Sequence, residues 1–582
     1  MWPLVLLLAG GVAPSRQPAR ADASARADLA LVNGKVITVD PQDRVAQAVA
    51  VRGSAIVAVG SDADIKGWIG PSTRVVDLGG RTATPGLIDS HCHFDGTALL
   101  FELDLSYPAV KSIADIVAKV RERAATAKPG EWIRGRGWDE GKLAEKRYLL
   151  AADLDAAAPD HPVYLVHTMG HYATANTRAL ALARVGKESL DPPAGTIDRL
   201  PDGRPSGVLK EGAMALVAGL VPEYTEEQRR SGLLEIVARH NREGMTAVKD
   251  PGIYAGEWER YRRLRAEEKL TVRVFALWRL RPKTVEGARA LLDQIQGFTN
   301  PRDPGRDAVL VSGGIKLAMD GSGGARTAWL HDDWNRDYTG KDPGNRGYPV
   351  TDPEAMRQIV RLFHDAGVHV STHAIGDRAL DWTVDGYEEA LRRNPVRGLR
   401  HGLIHANIPT DHAIEVMARL QKEYDAGYPE AQSTFTWWIG DTYAGNFGPE
   451  RSRRLKPFQT YLRKGILWAG GSDFPVTPFP ARYGLWASIV RRPILGIYGP
   501  DPFGQAESID VRSTLRSYTI WAARQLFLED RIGSLEVGKE ADIAVWDRDL
   551  YTIPAEEIRD LRCEMTVFAG RVVHQAGAGS AP

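Results

Sequence analysis

Eight short apolar runs between residues 83 and 530 constrain this chain more than any other feature. They are ATPGLIDSHCH (83–93), MTAVKD (245–250), VRVFALW (272–278), GGIKLAMD (313–320), VHVSTH (368–373), RHGLIH (400–405), AQSTF (431–435) and ILWAGGSD (466–473). Each has the length and composition of a buried strand. Amphipathic stretches separate several of them: EEQRRSGLLEIVARHNREG, PEAMRQIVRLFHDAG and PTDHAIEVMARLQKEY. Their apolar residues recur at helical spacing, so one face of each can lie on a core. Alternating strands and helices build a parallel sheet, and eight strands is the number that closes one into a barrel. The expected fold class is therefore α/β, a TIM-like (β/α)8 barrel over residues 83–530.

Three other regions flank or interrupt it. Near the N-terminus, DLALVNGKVITVD carries Asn33-Gly34 and AVAVRGSAIVAVG carries Gly53-Ser54, each between strand-like runs. Such pairs mark hairpins. SLEVGKEADIAVWDRD and MTVFAGRVVH repeat the pattern near the C-terminus. Neither set buries enough apolar surface alone, so residues 26–82 and 531–577 are expected to form one small β-sandwich built from both termini. Residues 94–244 separate the first two barrel runs, far more than a loop holds. They include strand-like EWIRGRGW and HPVYLVHTMGH, so residues 94–235 are expected to be largely an inserted subdomain beside the barrel mouth.

Residues 1–25 open with MWPLVLLLAGGVA and continue through AxA sequences, which reads as a secretory signal lacking the usual positive start. That places the protein in a periplasm or outside the cell, or in the cytoplasm if the run is not a working signal. Residues 578–582 are expected to be a disordered tail. Lys+Arg and Asp+Glu are both 74, which gives no support to nucleic-acid binding. Charges interrupt every later apolar stretch, so no transmembrane span is expected. The only cysteines, Cys92 and Cys563, exclude a disulfide framework.

The chemistry-bearing residues collect at the ends of the runs. His91 and His93 end the first, His373 the fifth, His405 the sixth and Asp473 the eighth, with Lys316 in the fourth. On a strand His91 and His93 point the same way, and Cys92 between them points away. A parallel barrel opens its active site at the C-terminal ends of its strands. Each residue alone has a structural explanation. Four histidines, a carboxylate and a lysine on one rim make a metal site.

With these motifs in place, the chain resembles the amidohydrolase superfamily, and within it the amidohydrolase-3 branch that includes N-substituted formamide deformylases. The resemblance spans about Asp28 to Val573 and rests on TPGLIDSHCH, HPVYLVHTMGHYATANTRAL, GIKLAMDGSGGARTA, HAIGDRAL, GSDFPV and GSLEVGKEADIAVWD. It implies one zinc ion on His91, His93 and Asp473, and a second on His373 and His405. Lys316 would carry a carbamate bridging the two; unmodified, the site would hold one ion. Asp473 would move the proton of an activated water. The expected activity is hydrolysis of a non-peptide C–N bond, in an amide, an N-substituted formamide or a cyclic amide. An ester, lactone or carbamate at the same site is the alternative, and a catalytically silent binding or regulatory barrel a more distant one. Trp138, Trp437, His171 and Arg326 are candidate contacts to a small-molecule substrate. Trp329, Phe435, Trp438, Tyr443 and Phe474 add to an aromatic group that suggests an apolar or aromatic substituent. A homodimer is possible.

Overall fold

A computed structural model describes residues 26–295, 303, 305–334 and 344–577, so the signal and tail readings lie outside the described residues. Eight parallel strands form the central sheet: β1 (Leu87–Asp89), β2 (Met245–Ile253), β3 (Arg273–Arg279), β4 (Leu310–Ala318), β5 (Val370–Ala374), β6 (Gly402–His405), β7 (Tyr428–Ala431) and β8 (Ala469–Gly470). Neighbours in sequence are neighbours in the sheet. The seam between β8 and β1 closes through hydrogen bonds beyond the strands: Ser90 N donates to Gly470 O (2.9 Å) and Asp473 N to His91 O (2.6 Å). Cys92 continues the seam as a parallel bridge to Phe474. The expected barrel is therefore present, and its seam joins the segment holding His91 and His93 to the one holding Asp473.

The helices form where the sequence spacing placed them. Helix α1 (Glu226–Arg242) is capped by Thr225, α2 (Pro353–Asp365) by Asp352 and α3 (Asp411–Tyr424) by Thr410. Each cap side chain accepts an amide hydrogen of the first turn, a contact worth about 1 kcal/mol. Pro353 at the first position of α2 has no amide hydrogen to lose there. Met356, Ile359, Val360 and Phe363 form its buried stripe and join the barrel core.

Two strands fall elsewhere than the spacing predicts. The seventh was expected at Ala431–Phe435, but β7 ends at Ala431 and Ser433–Thr436 forms a 3-10 turn. Thr436 Oγ1 donates to Ser433 O (2.8 Å), so a hydroxyl takes a backbone partner and competes with the ladder. Residues 83–85, read as the start of the first barrel run, instead belong with Thr82 to a strand (Thr82–Pro85) that pairs antiparallel with Ile543–Trp546. The chain changes sheets at Gly86.

Thr82–Pro85 belongs to a six-stranded sheet with Lys35–Ile37, Val45–Ala46, Ile543–Trp546, Cys563–Phe568 and Arg571–Gln575. A four-stranded sheet of Leu29–Val32, Ala48–Arg52, Ala55–Gly60 and Arg74–Asp77 covers it. Leu31, Val49 and Ile56 meet Val36, Ile543 and Val567 in one buried cluster. Between β1 and α1 a separate six-stranded sheet spans Leu103 to Glu211, with its own core of Leu105, Ile116, Ile133 and Leu165. Helix α1 is not part of that layer, because its Leu233, Ile236 and Val237 face the barrel core.

Candidate metal centre

At the C-terminal mouth of the barrel, a cavity of about 1040 Å³ is lined by His91, His93, Lys316, His373, His405 and Asp473. The inserted sheet supplies its far wall, including His171 and Glu211. The six rim residues come from five different strands, spread from β1 to β8. Two of them sit on left-handed backbone, His405 at φ 73° and Asp473 at φ 57°. For residues other than glycine such conformations cost about 1–3 kcal/mol and persist only where the surroundings fix them.

His91 Nε2 lies 3.2 Å from Asp473 Oδ1, and His93 Nε2 lies 3.4 Å from the same oxygen. These atoms converge on one point. His91 is wholly buried, yet among the described residues neither of its ring nitrogens has a hydrogen-bond partner. A buried polar ring without partners is costly unless a ligand completes it.

The second pair is more telling. His405 Nε2 faces His373 Nδ1 at 3.0 Å. Their outer nitrogens face carbonyl oxygens: His373 Nε2 meets Gly321 O (2.9 Å) and His405 Nδ1 meets Gln432 Oε1 (2.9 Å). Lys456 Nζ also reaches Gln432 Oε1 (3.2 Å) and Gln432 Nε2 donates to Glu430 O (2.9 Å), which fixes the amide orientation. Carbonyls only accept, so the outer nitrogens carry the protons. The inner nitrogens are then two lone pairs facing each other, an arrangement that a cation completes. Burial, above all, depresses the pKa of His93 to about 4 and holds His373 and His405 well below the usual imidazole range. Neutral imidazole is the ligating form.

Burial would raise the Asp473 carboxyl, but the adjoining His91, His93 and His405 rings outweigh it and keep the group well below the ordinary range. Lys316 is buried, and desolvation brings its amine down to about 7 although Asp473 opposes this. An amine partly unprotonated near neutrality can take up CO₂. Asp320, the partner an ordinary ion pair would give Lys316, instead accepts from the amides of Trp329 (2.9 Å), Ile375 (3.0 Å) and Gly376 (2.8 Å). The donor set fits one or two divalent cations.

The expected substrate contacts divide. His171 is on the cavity wall, its Nδ1 3.0 Å from both oxygens of Glu211 and its ring 5.4 Å from that of His373. Burial opposes its protonation, but Glu211 outweighs burial and raises its pKa. Thr327 Oγ1 holds Glu211 from the other side (2.6 Å). Trp138 is not a wall residue: it is fully buried in the inserted layer, with Nε1 donating to Leu165 O (3.1 Å) and its ring against His167. Trp437 packs between Tyr483 and Trp486 on the outside of the barrel. Arg326 is buried near Tyr148 and Lys210 of the inserted layer and is not part of the cavity lining. Trp329, Phe435, Trp438, Tyr443 and Phe474 are likewise absent from the lining. Their large apolar surfaces fill the packing between barrel and loops. The aromatic surface of the cavity comes from Tyr164 and Tyr224. Glu211, Glu430 and Lys249 were not singled out by sequence. Their one visible signal is charge within otherwise apolar strands.

A rival cluster, Asp139, Glu140 and His167, lies in the inserted layer. Lys142 Nζ already stands 3.1 Å from Asp139 Oδ2, and Tyr172 Oη bonds both Glu140 and His167. That cluster has its own cation.

A closed α/β barrel with histidines and a carboxylate gathered at its mouth defines the class of metal-dependent barrel hydrolases. Within it, this chain belongs to the amidohydrolase family, whose profile matches residues 74–574. It is 30% identical over 541 residues to the Arabidopsis thaliana protein LONG AFTER FAR-RED 3, covering 90% of this chain and 88% of that protein. It is 26% identical over 556 residues to an N-substituted formamide deformylase of Arthrobacter pascens, covering 93% and 97% respectively. A metal-dependent hydrolase from Pyrococcus horikoshii shares the fold at a TM-score of 0.69 and 25% identity, covering 91% of this chain and 99% of that one.

Proposed function

We propose that the protein hydrolyses a non-peptide C–N bond in a small molecule, an amide, N-substituted formamide or cyclic amide, with one or two zinc ions at the barrel mouth. The observation that carries this is the convergence of His91, His93 and Asp473 beside the facing lone pairs of His373 and His405. The likeness to a formamide deformylase favours an amide over an ester. A bound divalent cation supplies Lewis acidity, acidifying water and polarising a carbonyl.

The chain's own residues do the rest. His91, His93, His373 and His405 would hold the cations through their ring nitrogens, and Lys316, once carboxylated, would add a carboxylate ligand. Asp473 Oδ1 accepts the proton of the attacking water and returns it to the leaving nitrogen. His171, held on its Nδ1 by Glu211, has Nε2 left to donate to the substrate oxygen. An apolar substituent meets Met169, Tyr164 and Tyr224 on the wall.

His171→Asn is expected to lower kcat roughly 10²-fold, the usual effect of losing one oxyanion donor, with zinc content unchanged. Equal loss of zinc would make His171 part of the metal site instead. The proposed activity is tested by amine release from a panel of N-formyl, N-acyl and cyclic amides, beside esters, lactones and carbamates. Turnover of amides that stops on chelation and returns with zinc supports the reading. Turnover confined to esters and lactones, or unaffected by chelation, contradicts it.

A further inference from the structure

Beneath the rim lies a buried charge network that the proposed chemistry does not use. Glu430 on β7 is wholly buried. Its Oε1 accepts from Lys249 Nζ on β2 (2.7 Å) and from Ser371 Oγ on β5 (2.5 Å). Lys249 Nζ also bonds Ser371 Oγ (2.9 Å) and His369 Nε2 (3.1 Å). Two strands therefore clamp one carboxylate oxygen of a third in the barrel interior. The space is reserved for it: a Cβ on Gly402 of β6 would lie 2.2 Å from Glu430 Oε1 and 2.5 Å from Ser371 Oγ.

The other oxygen is free of this clamp. Among the described residues Glu430 Oε2 has no hydrogen-bond partner, and 3.7 Å away stands His91 Nδ1, which has none either. One is an acceptor without a donor. The other is a ring nitrogen that carries the proton whenever Nε2 is the ligating atom. The other two buried rim histidines already show the complete arrangement, with outer nitrogens on Gly321 O and Gln432 Oε1. For His91 a carboxylate stands in that place, held by the Lys249 ammonium, whereas the Asp320 carboxylate 3.6 Å from His373 Nε2 is held by backbone amides.

We infer that Glu430, anchored by Lys249 and Ser371, is the positioning residue of the first metal site: it accepts the Nδ1 proton of His91 and so commits Nε2 to the cation. This rests on the metal-binding reading above. Groups behind a ligating histidine typically change metal affinity 10–100-fold when removed. A carboxylate there also makes the imidazole a stronger donor than a carbonyl does. Its fixed negative charge offsets part of the cation's charge, while Lys249 keeps the carboxylate ionised and unable to turn. The network thus links the interior of the barrel to the metal rim through a single histidine.

The test uses the full-length protein. Zinc affinity is measured by competition with a chromogenic chelator for the wild type and for Glu430→Gln, with the melting temperature of each metal-free protein recorded beside it. The inference expects a 10–100-fold weaker first site in Glu430→Gln, and a smaller zinc-induced rise in melting temperature. Unchanged affinity in a folded Glu430→Gln overturns it. A wild type that binds no zinc overturns the metal reading as well, so the two failures are distinct. If Glu430→Gln strands Lys249 and does not fold, Lys249→Met/Glu430→Gln removes both charges together and is read in the same assay. A crystal structure of the zinc-loaded wild type decides the matter without any variant. His91 Nε2 on the metal with Nδ1 hydrogen-bonded to Glu430 Oε2 is the expected result, and Nδ1 on the metal overturns it.

Discussion

Asp473→Asn is expected to yield a folded protein whose kcat falls by roughly 10²–10⁴, the range that general acid–base catalysis contributes. Asparagine matches aspartate in size, so the left-handed turn at φ 57° and the amide contact from Asp473 N to His91 O have no steric reason to change. What changes is the chemistry of one atom. Oδ1 is the oxygen on which His91 Nε2 and His93 Nε2 converge, at 3.2 and 3.4 Å. A carboxylate there can act both as a ligand and as a proton acceptor, whereas an amide is a weak ligand and no base. The check is kcat on the best amide substrate, with zinc content and melting temperature measured on the same preparation. Near-normal turnover would remove the proton-transfer role from Asp473. Lost turnover at full zinc content would isolate that role from ligation.

The second large effect belongs to Lys316. Lys316→Met keeps the apolar stem but cannot form a carbamate. It is expected to bind one zinc ion where the wild type binds two, and to lose roughly 10²-fold or more in kcat, since charge stabilisation by a second cation is worth several kcal/mol. The wild-type protein is expected to carry the added mass of one CO₂ and, once stripped, to regain its second ion only with bicarbonate present. Intact mass and zinc stoichiometry check both statements. A wild type with unmodified Lys316 and one ion would leave a mononuclear site on His91, His93 and Asp473.

The barrel was legible because its signals are local. Each buried strand is a continuous apolar run, and α2 announces itself through Asp352, Pro353 and a stripe at three- and four-residue intervals. His91 and His93 were legible for a related reason. Their alternation survives past the end of β1, because Cys92 pairs with Phe474 and keeps the segment extended. Cys92 itself is buried with Sγ beside His240, away from the two histidines.

What sequence does not carry is which side chain meets which across the barrel. Glu430 was hidden because the seventh strand was placed a few residues late, at a hydroxyl-rich segment that forms a turn. Glu211 was hidden because its partner His171 lies in the turn before another strand of the inserted sheet, 40 residues away in sequence. Trp138 and Trp437 were drawn towards the cavity by their position in loops or beside strand ends. Large aromatic surfaces are more often packed than offered to a ligand: Trp138 is fully buried, and Trp437 is half-buried against Trp486. Lys316 lay between a bridging role and a structural one, snorkelling from the barrel or pairing with Asp320; Asp320 is instead bonded by three backbone amides, and only intact mass and zinc stoichiometry separate the readings.

The central claim is that this rim holds catalytic metal, and an anomalous-difference map at the zinc edge from crystals of the zinc-loaded protein tests it most directly. A peak is expected where His91 Nε2, His93 Nε2 and Asp473 Oδ1 converge, with a second beside His373, His405 and Lys316. A map with no peak at the rim, or with its only peak at Asp139, Glu140 and His167, would contradict the claim.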